Sequence, residues 1–166
     1  MKALTIWQPW ASLIMIGAKP WEFRHWRPPG WLIGQRLVIH AGARAVNAGE
    51  VHQLVRLLEA GGRYAAATTL KPELALPLLR GWMAGQELPL AAGLGTAVCG
   101  DPELGHEIAL RLGAISANDS SRADHSNWGW PMLDIEAWEQ PFAMKGAQGL
   151  WNWPDAKALA SMGYGQ

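Results

Sequence analysis

Pro9, Gly17 and Pro20 cut the stretch Thr5–Arg24 (TIWQPWASLIMIGAKPWEFR) into pieces too short for anything but small elements folded back on one another. Ala3–Trp7 alternates and is rich in β-formers, which predicts a strand. Gln8-Pro9 ends it. A proline fits the first turn of a helix, where its missing N–H would have had no partner, so Pro9 predicts a helix start. Trp10, Leu13, Ile14 and Ile16 then recur at helical spacing, and Gly17 is a natural C-terminal stop. Pro20 keeps the helix from resuming. Trp21–His25 reads as a second strand, with Glu22 and Arg24 on one face and Trp21 and Phe23 on the other. Lys19, just past the helix C-terminus where the dipole favours a cation, is thereby brought towards Glu22 and Arg24.

The rest of the chain continues in short elements, as nineteen Gly and eleven Pro would suggest. Pro28-Pro29-Gly30 is a turn, and Arg36–Ala41 a strand with Val38 and His40 on one face. Val46–Ala60 is amphipathic at helical spacing and ends at Gly61-Gly62; Glu73–Met83 reads as a second helix, interrupted or kinked at Pro77. Gly93–Cys99 is a small-residue strand, and Glu107–Leu112 a strand or a helical turn. Ser116–Asn127 is polar and aperiodic, which predicts a long exposed loop. Trp128–Trp138 and Gly149–Trp153 close the chain as strands, with a short helix or frayed end after Pro154. This is an α+β pattern, most economically a small barrel decorated by helices, in one domain over 1–166 with a helical insertion at about 46–90.

Charge is neutral overall but unevenly placed. Residues 1–44 carry Lys2, Lys19, Arg24, Arg27, Arg36 and Arg44 against the single acid Glu22, whereas residues 101–140 hold eight acids against Arg111 and Arg122. A basic N-terminal third can form a positive face for phosphates, or the two halves can cancel pairwise on folding. The lone Cys99 excludes an internal disulfide and suits a reducing compartment. No apolar run approaches a membrane span, and Met1-Lys2 leads straight into a strand, so a cytoplasmic protein without a membrane partner is expected. His25, His52, His106 and His125 show no ligand spacing, phosphate-cradling Gly loops are missing, and neither a metal nor a cofactor is expected.

At Gln8-Pro9-Trp10 followed by Gly17, Lys19, Glu22 and Arg24, the chain resembles the ASCH domain of the PUA-like superfamily, in a stand-alone form of bacterial or phage type. The hallmark there is a strand, a Gln-Pro-Trp-like helix start and Gly-x-Lys-x-x-Glu-x-Arg. Ile39-His40-Ala41, Gly95–Cys99, Trp128–Leu133 and Lys145–Trp151 extend the likeness over most of the chain. The resemblance implies a PUA-like small β-barrel with a short helix after the first strand, a cleft beside that helix, and a role in handling RNA, DNA or their modified bases. Relatives bind a modified base between aromatic walls, a bacterial subfamily removes acyl groups from the N4 nitrogen of cytidine, and ribonuclease activity has been attributed to an ASCH protein.

The leading expectation is a module that binds RNA or another single-stranded nucleic acid and takes a nucleobase, modified or not, into that cleft. Lys19 offers a point charge, Arg24 a planar fork, and Glu22 an acceptor for an exocyclic amine. Trp7, Gln8, Trp26, His40 and Arg44 complete the expected lining, Trp10 and Trp21 being assigned to the core and Trp26 and Trp128 to wetter positions. The alternative is an amidohydrolase acting on N4-acylcytidine or a related modified nucleoside, with Lys19 and Glu22 catalytic. In that subfamily a Thr stands three residues after the Lys. Here the position is Glu22, so the covalent route does not carry over. A protein-interaction module is a third reading, favoured by an exposed apolar patch without a charged cleft.

Overall fold

A computed structural model describes residues 1–117 and 127–161. β1 (Lys2–Ile6), α1 (Trp10–Met15) and β2 (Trp21–Arg24) follow one another as the prolines require. Gly17 ends the helix at φ +72°, a left-handed conformation that favours glycine. β3 (Arg36–Ala41) comes next, then α2 (Ala48–Ala60), α3 (Gly62–Thr68) and α4 (Pro72–Met83), before the chain returns to the sheet. β4 (Ala92–Cys99), β5 (Glu103–Leu104), α5 (Gly105–Arg111), β6 (Trp128–Ala143), β7 (Leu150–Asn152) and α6 (Ala156–Ser161) complete the described fold.

The strands run in the order β2-β6-β4-β3-β1-β7, with β5 added to β6. β1 and β3 are parallel, Thr5 opposite His40; the remaining pairs are antiparallel. The sheet curls into a half-barrel, the α+β PUA-like architecture expected. Its two terminal strands, β2 and β7, have no backbone ladder between them among the described residues. A seam is left there.

Alternation along β1 and β3 sorts the two faces. Leu4, Ile6, Leu37 and Ile39 join the main core with Leu13 and Ile14 of α1, Val51, Leu54 and Leu58 of α2, Leu79 of α4, and Trp130. Each such side chain contributes about 1.5–3 kcal/mol on burial. Ala3 and Val38 face the other way, under Trp153, Trp138, Phe142 and Trp151.

Several local expectations are refined. Gly61 does end α2, at φ +68°, but α3 starts directly after it, because the turn lets Ala65 reach the core. Glu107–Leu112, for which a strand and a helical turn are both expected alternatives, is helical over 107–111 as part of α5, which buries Ile108 and Ala109 under Phe23. Trp21 is not core: it is half-buried, donates Nε1 to Glu103 at 2.8 Å and carries the Arg111 guanidinium 5.7 Å above its ring. α4 runs through Pro77, which sits exposed inside it. Most of the loop expected at Ser116–Asn127, with His125, lies outside the described residues.

Candidate functional site

Leaving α1, the amides of Ala18 and Lys19 both donate to the Leu13 carbonyl, which turns Lys19 inward. Its side chain is 1% exposed, with Nζ 3.5 Å from Glu22 Oε2 and 5.3 Å from the Phe23 ring centre. The other carboxylate oxygen of Glu22 lies 3.0 Å from Arg24 Nη2. The three charged residues therefore form one buried chain, with Glu22 at its centre. Arg24 is the outermost member, its side chain 17% exposed against 8% for Glu22. Nη2 also donates to the Thr5 carbonyl at 3.0 Å, which ties β2 to β1 across the seam. Arg24 Nε is buried and meets no acceptor among the described residues.

Pairing with β6 supplies the wall. Across the antiparallel ladder Trp130 stands opposite Glu22 and Trp128 opposite Arg24, so both indoles share the face of the charged chain. Trp130 is fully buried and donates Nε1 to the Trp26 carbonyl at 3.2 Å. The Trp26 ring meets it edge-on, 4.7 Å between centroids. Trp128 is half-buried, and the exposed Arg27 guanidinium lies 5.5 Å over its ring.

The other expected site residues are engaged elsewhere. Gln8 is buried and acts as a tether: its amide donates to Ser12 Oγ at 2.7 Å and to the Pro89 carbonyl at 2.9 Å, and accepts from the Ser12 amide at 3.1 Å. It holds α1. Arg44 stacks 4.2 Å over the Trp7 ring, with Glu50 3.7 Å from its Nη2.

His40 is 1% exposed and meets the Met144 carbonyl at 2.9 Å through Nε2. A carbonyl only accepts, so Nε2 carries the hydrogen, and Nδ1 lies 3.3 Å from Thr5 Oγ1. Burial lowers its pKa below 6.5, opposed by the Met144 bond, and the ring is neutral near pH 7. Thr5 Oγ1 in turn donates to the Ala147 carbonyl at 2.6 Å and accepts from Trp151 Nε1 at 3.0 Å. This knot fastens the closing segment to the sheet. Its ring packs against Trp151 and Trp153, in the cluster on the far face from Leu4 and Ile39, whereas Trp130 beside Glu22 belongs to the main core. The structure thus brings Lys19, Glu22, Arg24 and Trp26 to one place, with His40 on the side-chain side of Thr5, whose carbonyl takes Arg24.

Pairwise cancellation takes much of the basic N-terminal third. Arg36 bonds Asp134 and sits 3.1 Å from Glu136. Among the described residues no group of three His, Cys, Asp or Glu side chains is placed to hold a metal, and no helix is long and apolar enough to cross a membrane. Trp130 was the member of the site hardest to find beforehand. Its alternation in a strand was legible, but nothing local said which strand it would face.

A family model, the ASCH domain, matches residues 4–75. The match runs from β1 into α4, contains the whole Gly17–Arg24 motif and supports the family read from it. It is consistent with a nucleic-acid-binding or RNA-related PUA-like module. The curated proteins searched contain no match to the chain.

Proposed function

We propose, taking the ASCH match over residues 4–75 as premise, that the protein binds RNA or another single-stranded nucleic acid and holds a nucleobase at the seam beside Arg24. The observation that carries this is Arg24 itself. Glu22 and the Thr5 carbonyl hold one nitrogen of its guanidinium, while Nε has no acceptor among the described residues. Leaving a buried donor unmatched costs about 1–3 kcal/mol, which a ligand oxygen or ring nitrogen placed there would recover. A guanidinium so held offers its remaining N–H donors, Nε first, to an acceptor on a base or a phosphate.

Lys19 and Glu22 then act as positioning residues, buried behind Arg24, and not as ligand contacts. Both Glu22 oxygens already face cations, so the exocyclic-amine acceptor expected of Glu22 gives way to a clamp on Arg24. The same engagement leaves the amidohydrolase reading without an observation in its favour. Trp26, half-buried, is the indole beside the charged chain with surface left for a base, worth about 1–3 kcal/mol on stacking, and the fully buried Trp130 supports it from behind.

Titration of a labelled single-stranded RNA tests the reading. Arg24→Gln is expected to weaken binding about 5- to 150-fold, the equivalent of ~1–3 kcal/mol, while Arg63→Gln on the exposed start of α3 changes little. Equal affinity of Arg24→Gln and wild type overturns it, provided their thermal melts coincide.

A further inference from the structure

Three arginines are placed early enough in the chain to continue a groove away from Arg24, and the structure separates them. Arg36 is neutralised by Asp134 and Glu136. Arg44 is laid on Trp7 with Glu50 close by. Arg27 is exposed, stacks over Trp128, and has no carboxylate within ion-pair distance among the described residues. Trp128 is also the residue directly opposite Arg24. After β2 the chain bends at His25-Trp26, so that Arg27 returns over the indole paired with the last residue of the strand.

From this we infer that Arg27 and Trp128 form a phosphodiester subsite beside the base site, and that the ligand is a single-stranded polynucleotide rather than a free nucleoside. The inference rests on the base-binding reading of Arg24. A guanidinium held 5.5 Å over an indole loses rotamer freedom before any ligand arrives, and its planar group carries N–H donors around its edge. That edge matches two oxygens of a phosphate. Trp128 positions the cation; Arg27 makes the contact. A base held at Arg24 carries a phosphate on its own sugar, and the next cation on that face is the one that meets it.

The test measures two ligands against the same variants: a labelled single-stranded RNA over a salt series, and the free nucleosides by calorimetry. For Arg27→Gln the expected result is RNA binding weakened about 3- to 10-fold and a log K against log salt slope flattened by about 0.7, the share of one phosphate on a single strand. Nucleoside affinity should not change. If Arg27→Gln leaves RNA affinity and slope intact while Arg24→Gln still weakens both, the subsite is wrong and the base site stands. If Arg27→Gln weakens nucleosides as much as RNA, Arg27 belongs to the base site and the polymer inference fails. If wild type binds neither ligand, both readings fall together. A matched DNA strand, run alongside, separates contact through the phosphate, which it shares, from contact through the 2′-hydroxyl, which it lacks.

Discussion

Arg24, Glu22 and Lys19 form a unit in which the middle residue decides the behaviour of the other two. Glu22→Gln leaves two cations facing a neutral amide in a site where both partners are largely buried. Breaking a buried ion pair from one side typically costs about 3–5 kcal/mol, so this variant should unfold at clearly lower denaturant and also bind RNA poorly. Chemical denaturation checks the first effect; an unchanged midpoint would mean that the chain of charges contributes little. His40 gives a second prediction with a definite sign. Its folded pKa lies below the ordinary 6.5, so between the two values the unfolded chain holds a proton that the folded chain does not. Its contribution is complete above about pH 6.5 and is lost as pH falls through the folded value. Melting temperature should therefore fall more steeply on acidification in wild type than in His40→Asn. Cys99 is buried, and burial, with Asp101 adding, pushes its thiol up to about 11. A thiol-specific reagent at mild pH should label it only on unfolding; rapid labelling of the native protein would contradict its burial. At this scale the motif residues were legible through the family resemblance that Gly17, Lys19, Glu22 and Arg24 carry together with Gln8-Pro9-Trp10. The role of Gln8 was not, because its partners Ser12 and Pro89 come together only when α1 docks.

The elements owe their positions to punctuation that local chemistry explains, and their pairing to contacts that it does not. Pro9, Gly17 and Pro20 announced β1, α1 and β2 almost residue by residue. The small-residue strand Gly93–Cys99 was legible too, but the reason for its composition was not. At Gly95 a Cβ would run into the Glu136 carbonyl and lie 2.8 Å from the Ala137 Cα, backbone that cannot step aside. The β4–β6 register shifts on either side of this point, between Gly93 and Gly95 and between Thr96 and Val98. Gly95→Ala should cost about 1–3 kcal/mol by overpacking, read as a lower denaturation midpoint with the same fold by circular dichroism. An unaltered midpoint would mean that the two strands have room to separate. α3 escaped notice because Gly61-Gly62 ends one helix and begins another, and a glycine doublet does not distinguish a loop from a second helix on its C-terminal side. The full length of β6 escaped because its outer half is exposed and lacks a clean apolar alternation.

At the scale of the whole molecule, the half-barrel is open where its terminal strands fail to pair, and Arg24 is the side chain that crosses from β2 to β1 there. The fold thus puts its seam and a buried, incompletely satisfied cation in the same place. Charge counting along the sequence pointed to a basic third, yet folding spends much of that charge on Asp134, Glu136, Glu22 and Glu50, residues partly far away in sequence. Only three-dimensional pairing reveals that Arg24 keeps a buried Nε without an acceptor among the described residues and that Arg27 lies over Trp128, the residue opposite Arg24. The central claim is that Arg24 reads its ligand through a directed N–H donor that a lysine lacks, and not as a point of charge, and Arg24→Lys tests it most directly. With labelled single-stranded RNA across a salt series, the account predicts a salt slope like that of wild type, since the charge is kept, with affinity about tenfold weaker at every salt concentration. Full wild-type affinity in Arg24→Lys would contradict it.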